Sequence, residues 1–288
     1  MIGRKLLFVT PALACALSLA APAGAQTGAL EKIRKQGVIT LGYIDGGAPF
    51  SYADANGEPQ GYSVDLCRAV ADGLRAQLKR EKLRTRWVKL TIQNRIDAVR
   101  RRQVDVECST TTWTLGRQAL VDFSLVIFVD GASILVKAET DVSRLVDFKG
   151  RRVAVISGTT TERVLREALG RHLIAAEVVL IKTRDEGLTL LNQSQVDGLA
   201  SDRTTLIGVV ARSAGGRVYK LLDEDFSIEP YALMLPRGDH DFRLAVNRVL
   251  ARLYRTGEIR PIYDRWLGPL GPPSLLLSAS YFIQGLSE

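Results

Sequence analysis

Histidine is nearly missing from this chain of 288 residues: only His172 and His240 occur, and they stand alone. With no His, Cys or Asp cluster at ligand spacing, neither a metal site nor a bound cofactor is expected. Cysteine is scarce too, at Cys15, Cys67 and Cys108. Beyond the first twenty residues no apolar run reaches 18, so the body of the chain holds no candidate membrane helix. Basic residues outnumber acidic ones, 39 to 31, but they form no dense tail. They are scattered as Lys79-Arg80, Arg84 to Lys89, Arg100 to Arg102 and Arg151-Arg152, which suits attraction of small anions and gives no nucleic-acid footprint.

The N-terminus speaks about location. Arg4 and Lys5 precede a mostly apolar stretch from Leu6 to Ala20, and Ala23-Gly24-Ala25 supplies a small-x-small cleavage site. The stretch is too short and too interrupted by Pro11 to anchor stably. The residues before Cys15 do not make a lipoprotein signal. The expectation is an exported chain cleaved near Ala25, in the periplasm, with residues 1–25 as the signal peptide. Losing Arg4 and Lys5 lowers the formal charge from +8 to +6. Cys67 and Cys108 then remain in an oxidising compartment, as a disulfide or as two buried thiols.

The rest alternates short apolar runs with longer amphipathic ones, the pattern of α/β units. Strands are expected at Gly37–Tyr43, Arg86–Leu90, Val104–Val106, Ala132–Lys137, Arg152–Ile156, Glu177–Ile181 and Val196–Ser201. Helices are expected at Ala29–Gln36, Asp65–Leu78, Asn94–Arg102, Val164–Leu169, Asp185–Gln193 and Asp241–Thr256. The last carries apolar residues at 242, 246, 249, 250 and 253, one helical face. Phe50–Tyr52 and Gly61–Val64 flank the turn Asp54–Gly57 and read as a hairpin. The Gly- and Pro-rich tail Gly268–Pro273 reads as a surface wrap. Crossings at Phe128–Gly131 and Glu229–Ala232 give two lobes, 26–130 with 231–288, and 131–230. A cleft between lobes joined in this way is a natural ligand site.

Two hydroxyl clusters stand out. Thr110 to Thr112 follow a strand and precede Arg117, whose planar guanidinium can pair a carboxylate through two hydrogen bonds. By itself this stretch is equally a threonine-rich strand end with a solvated arginine. Ser157 to Thr161 also follow a strand and open a helix, where free amides favour an anion; an N-cap without a ligand is the plain alternative. Asp202, at the end of the strand Val196–Ser201, can receive an ammonium group or be a simple turn residue. Together the three describe a receptor for a zwitterion. No nucleophile is paired with a base among them, so binding is expected and catalysis is not.

The order and spacing of these motifs resemble the bacterial periplasmic amino-acid-binding proteins, extracellular solute-binding family 3. The resemblance rests on Ala48–Tyr52 with Gly61–Leu66, Gln93–Ile96, Thr110–Thr112 with Arg117 and Val121–Ser124, Phe148–Gly150 with Ser157–Thr160, and Tyr263–Trp266. It is most similar to the glutamate/aspartate-binding branch, which shares the Gln-Asn-Arg-Ile run, Glu107-Cys108 and Pro272-Pro273. The resemblance implies a type II two-lobe fold, a monomer, and delivery of an amino acid to an inner-membrane ABC permease. It implies that Arg117 and Thr112 hold the α-carboxylate with Thr160 closing from the other lobe, that Thr110 and Asp202 take the amino group, and that Arg95 faces the side chain. The chain departs from that branch at Ile44, Ile92 and Arg184, where the branch has arginine, serine and histidine. Arg95 and Arg184 keep the subsite cationic, so an acidic ligand is expected, with a neutral polar amino acid as the alternative. A dehydratase of the cyclohexadienyl type on the same fold would need a general acid, for which Glu107 and Glu186 are the candidates.

Overall fold

The structure, a computed structural model, describes residues 28–212 and 218–287, so the signal-peptide expectation falls outside it. The chain opens with α1 (Ala29–Gln36) and β1 (Val38–Ile44). Gly37 ends α1 with φ +64°, a left-handed conformation in which its N–H caps the Ile33 carbonyl. A two-stranded ribbon, β2 (Tyr52–Ala53) and β3 (Pro59–Gln60), leads to α2 (Tyr62–Gln77). Then come β4 (Arg84–Leu90), α3 (Arg95–Arg100), β5 (Val106–Glu107), α4 (Leu115–Gln118) and β6 (Asp122–Asp130).

The middle of the chain supplies β7 (Ala132–Lys137), β8 (Arg152–Ile156), α5 (Thr160–Arg171), β9 (Glu177–Ile181), α6 (Arg184–Asn192), β10 (Gly198–Asp202), α7 (Arg203–Arg212) and β11 (Tyr219–Leu221). The chain finishes with β12 (Glu229–Leu235), α8 (His240–Thr256), α9 (Ile259–Trp266) and α10 (Leu275–Gln284).

Two five-stranded sheets result, in the orders β4-β1-β5-β12-β6 and β11-β7-β10-β8-β9. In the first, β1 runs parallel to both neighbours, and its residues from Ile39 to Ile44 are all buried, as an apolar strand covered on both faces must be. The second is parallel across β10, β8 and β9, with β7 antiparallel to β10 and β11 antiparallel to β7 at the edge. The sheets are joined where β6 and β12 lie antiparallel, Asp130 opposite Glu229.

Helices cover the first sheet with the faces their periodicity selects. Phe242, Val246, Val249, Leu250 and Leu253 of α8 are all buried and together contribute on the order of 10 kcal/mol of apolar transfer free energy. Its partner α2 approaches so closely that a Cβ on Gly73 would meet Val249 Cγ2 at 2.4 Å. A disulfide joins Cys67 of α2 to Cys108 just past β5, with Cα atoms 6.1 Å apart. This settles the state of the two cysteines.

Two local expectations are corrected. The second arm of the supposed hairpin is only Pro59–Gln60, because Tyr62 to Val64 are already helical. Gly61 makes that switch at φ +124°, where a Cβ would sit 2.2 Å from the Phe50 carbonyl oxygen. The strand placed at Val104–Val106 is displaced to Val106–Glu107, because Asp105 turns inward to receive Lys32 and the Thr40 amide. Gly268–Pro273 runs unburied along the surface, opening with a 3₁₀ turn at Gly268–Leu270, and the chain beyond it forms α10. That helix buries Leu277 and Tyr281 and uses the Gln284 amide to bond both backbone groups of Val126 on β6.

Candidate functional site

Loops at the facing ends of the two sheets enclose a small inner chamber of about 20 Å³, room for roughly one water molecule. Arg95, Thr110 and Thr112 reach it from the first sheet, and Thr160, Arg184 and Asp202 from the second. Ile92 and Arg184 also line an outer cavity of about 980 Å³, which begins at Ile44. Of the nine residues expected at a ligand site, seven therefore meet at the inner chamber. Ile44 lies in the outer one only. Arg117 lines neither cavity.

Local chemistry explains each placement. Glu107 ends β5 buried and accepts hydrogen bonds from the Ser109 and Thr111 hydroxyls, which fixes the threonine loop. The loop is also pinned to β12, since Trp113 N–H donates to the Pro230 carbonyl and Ala232 N–H to that of Thr111. On the other side Thr159 caps α5 by accepting from the Glu162 amide at 3.1 Å, and Glu162 answers by accepting from Gly158 N–H at 2.8 Å. Thr160 and Thr161 are thereby fixed at the helix entrance. Arg184 begins α6 and is held by Nε donating to Ser201 Oγ at 3.0 Å. Asp202 closes β10 and accepts from Thr161 Oγ1 at 3.0 Å and from the Tyr231 hydroxyl at 2.5 Å.

The two sheets meet on one carboxylate oxygen. Glu229 Oε2 accepts from Thr112 Oγ1 at 2.6 Å and from Thr160 Oγ1 at 2.8 Å, while Ser227 Oγ donates to Oε1 at 2.7 Å. The threonine oxygens are 3.2 Å apart, but each has spent its only hydrogen on Glu229. Two hydroxyls from opposite sheets thus converge on a carboxylate. Glu229, Asp130 and Tyr231 were not singled out from sequence as site residues. Glu229 and Tyr231 do fall in the crossing Glu229–Ala232 and Asp130 in Phe128–Gly131, which was the available signal.

Charge is concentrated here. Arg95, Arg117 and Arg184 are all nearly buried, and Arg95 Nε has no hydrogen-bond partner among the described residues. Burial pulls the Arg95 guanidinium below its usual range, and the Glu107 carboxylate opposes that shift. Burial also raises Glu107, against the pull of Arg95. Arg117 is lowered to about 10 by burial and then by Arg95 nearby, and its Nη1 donates to the Thr112 carbonyl at 2.8 Å. Burial and the neighbouring Asp202 push Asp130 up to about 7. Tyr231 contacts both Asp130 and Asp202, at 3.2 and 2.5 Å, yet has one hydroxyl hydrogen. With that hydrogen on Asp202, a protonated Asp130 supplies the other.

Among the described residues no group of three or more His, Cys, Asp or Glu side chains is placed to share a metal ion, and no helix is long and apolar enough to cross a membrane. Glu107 is committed to Ser109 and Thr111 and is not on the chamber wall. Glu186 is exposed, accepting from Lys182 N–H at the start of α6.

Hydroxyls and opposed charges supplied by two sheets around a closed chamber are the layout of a protein that encloses a small solute. The profile of the bacterial extracellular solute-binding proteins, family 3, matches residues 39–269, and the chain belongs to that family. An L-glutamate/L-aspartate-binding protein of Pseudomonas aeruginosa is 33% identical over 94% of this chain and 91% of its own. Among solved structures, an ancestral arginine-binding protein bound to glutamine aligns with a TM-score of 0.72 at 26% identity, covering 81% of this chain and 98% of that one. An ancestral amino acid-binding protein described as a precursor of cyclohexadienyl dehydratase aligns with a TM-score of 0.69 at 25% identity, over 83% and 99% of the two chains. The fold is that of the type II periplasmic binding proteins.

Proposed function

We propose that this protein is the substrate-binding component of an amino-acid ABC importer, a periplasmic monomer that encloses an L-amino acid and delivers it to an inner-membrane permease. The observation that carries this reading is the inner chamber, where Thr112 and Thr160 from opposite sheets converge beside Asp202 and the unpartnered Arg95 Nε. Thr112 and Thr160 suit an α-carboxylate once their hydroxyl hydrogens turn from Glu229 to the ligand, with Arg117 behind the Thr112 carbonyl. Asp202 and Thr110 suit an α-ammonium group. Arg95 and Arg184 add positive charge for an acidic side chain, in keeping with the P. aeruginosa relative. The two separate sheets support a division into lobes 26–130 with 231–288 and 131–230, although β12 of the first sheet already begins at Glu229. Export and cleavage near Ala25 rest on the N-terminal sequence alone.

The protein is read as a receptor and not an enzyme. A dehydratase would need a general acid at the chamber, and neither Glu107 nor Glu186 lines it. Calorimetric titration of the mature protein with a panel of amino acids tests the reading, and failure of every α-amino acid to bind overturns it. Replacing Arg117 by Ala should weaken amino-acid binding by about tenfold or more, because its Nη1 holds the Thr112 carbonyl and so positions the threonine loop. A change of less than a few-fold removes Arg117 from the site.

A further inference from the structure

The inner and outer cavities differ about fifty-fold in volume, 20 against 980 Å³, yet share Ile92 and Arg184 as a common wall. The outer cavity opens to solvent and adjoins the inner chamber, so a solute seated at the chamber has room to extend beyond the length of a free amino acid. We infer that the solute is an amino acid extended through its side chain, namely a glutamate whose side-chain carboxyl is amide-linked to a second amino acid. The inference rests on the amino-acid reading above and names the substrate class of that same site.

Three features select this linkage. The inner chamber offers partners for both α groups, Thr112 and Thr160 for the carboxylate and Asp202 for the ammonium. An ordinary peptide bond consumes one of those groups, whereas a side-chain link leaves both free. The outer cavity adds Ile44, Leu90 and Ile92, apolar residues that give a carboxylate no partner of their own and leave it to Arg95 and Arg184 alone. A neutral amide has no charge to desolvate there, and its carbonyl is an acceptor of the kind that buried Arg95 Nε lacks.

Beyond that wall the outer cavity again turns cationic. Lys89, Lys182, Arg184 and Arg212 face Asp45, Asp54 and Asp185, a net charge of +1. Lys89 is neutralised by Asp45 at 2.8 Å, and Asp54 is occupied by the turn amides of Asn56 and Glu58. Against the remaining carboxylate of Asp185, Lys182 and Arg212, the latter over the Tyr52 ring at 5.9 Å, form the seat for a second carboxylate, that of the added amino acid, with Leu188 and Val209 to cover its body.

Titration calorimetry with L-glutamate, γ-L-glutamylglycine and α-L-glutamylglycine tests this. The γ-linked dipeptide should bind at least tenfold more tightly than glutamate, and the α-linked isomer more weakly than either. The double variant Lys182→Ala, Arg212→Ala changes two exposed positions. It should weaken the γ-linked dipeptide about tenfold and leave glutamate within twofold. Glutamate binding more tightly than the γ-linked dipeptide, or a double variant that leaves the dipeptide unaffected, overturns the inference while the amino-acid reading stands. Failure of every amino acid and both dipeptides to bind overturns that reading as well.

Discussion

Gly208 of α7 lies against the Ala48 carbonyl, so close that a Cβ there would stand 2.0 Å from the oxygen. Gly208 lies between β10 and β11 of the second sheet and Ala48 follows β1 of the first, so this contact spans the cleft. A glycine inside a helix costs roughly 0.5–1 kcal/mol relative to alanine, and here the close approach requires it.

Gly208→Val should therefore hold the sheets apart without unfolding either. The fraction of molecules able to enclose ligand falls, and apparent affinity falls with it, by about tenfold or more. Small-angle scattering should show the expanded form persisting at saturating ligand, with ligand-free melting nearly unchanged. Wild-type affinity in this variant would show that closure does not depend on the contact.

The Cys67–Cys108 disulfide closes a loop of 41 residues, for which chain-entropy arguments give about 4 kcal/mol, with measured cases commonly at 2–4. Replacing both cysteines by serine should lower the melting temperature by roughly 5–15 °C for a protein of this size. Ligand affinity should stay within a few-fold, because neither cysteine lines the chamber. A drop in affinity matching the drop in stability would place the disulfide in control of the site.

Asp130 yields a pH prediction of definite sign. Its carboxyl releases its proton near pH 7 when folded and near 3.9 when unfolded. Between those values the folded chain holds the extra proton, so stability from this group is greatest in acid and falls as pH rises from about 4 to about 7. Asp130→Asn should flatten that part of the stability curve, measured by urea titration at several pH values. An unchanged slope would mean that Asp130 is ionised throughout.

What could be read from sequence was the local part of the site. The cap from Thr159 to Glu162 and the aspartate closing β10 are short-range patterns whose physics needs few neighbours. The buried face of α8 was equally plain from its period. Glu229 was beyond reach as a site residue because its partners Thr112 and Thr160 lie 117 and 69 positions away, brought together only by the crossing strands. Helix α10 was missed for another reason. It is apolar on every side, with Leu275 and Phe282 exposed while Leu277 and Tyr281 are buried, so no helical period marks it. Which cavity a residue reaches is likewise set by the long-range fold and not by its neighbours in sequence: Ile44 lines only the outer cavity, and Arg117 lies behind the Thr112 carbonyl, on the wall of neither.

The placement of β12 between β5 and β6 governs the order in which the molecule can assemble. Within the first sheet β6 touches only β12, and β12 is made about a hundred residues later than β6. Every strand of the second sheet lies in that interval, so it can pair completely while β6 still waits for its neighbour. Long-range pairing of this sort is slow to form and leaves an edge unpaired in the meantime. The portion of the chain that leaves the ribosome first is the one whose sheet is finished last.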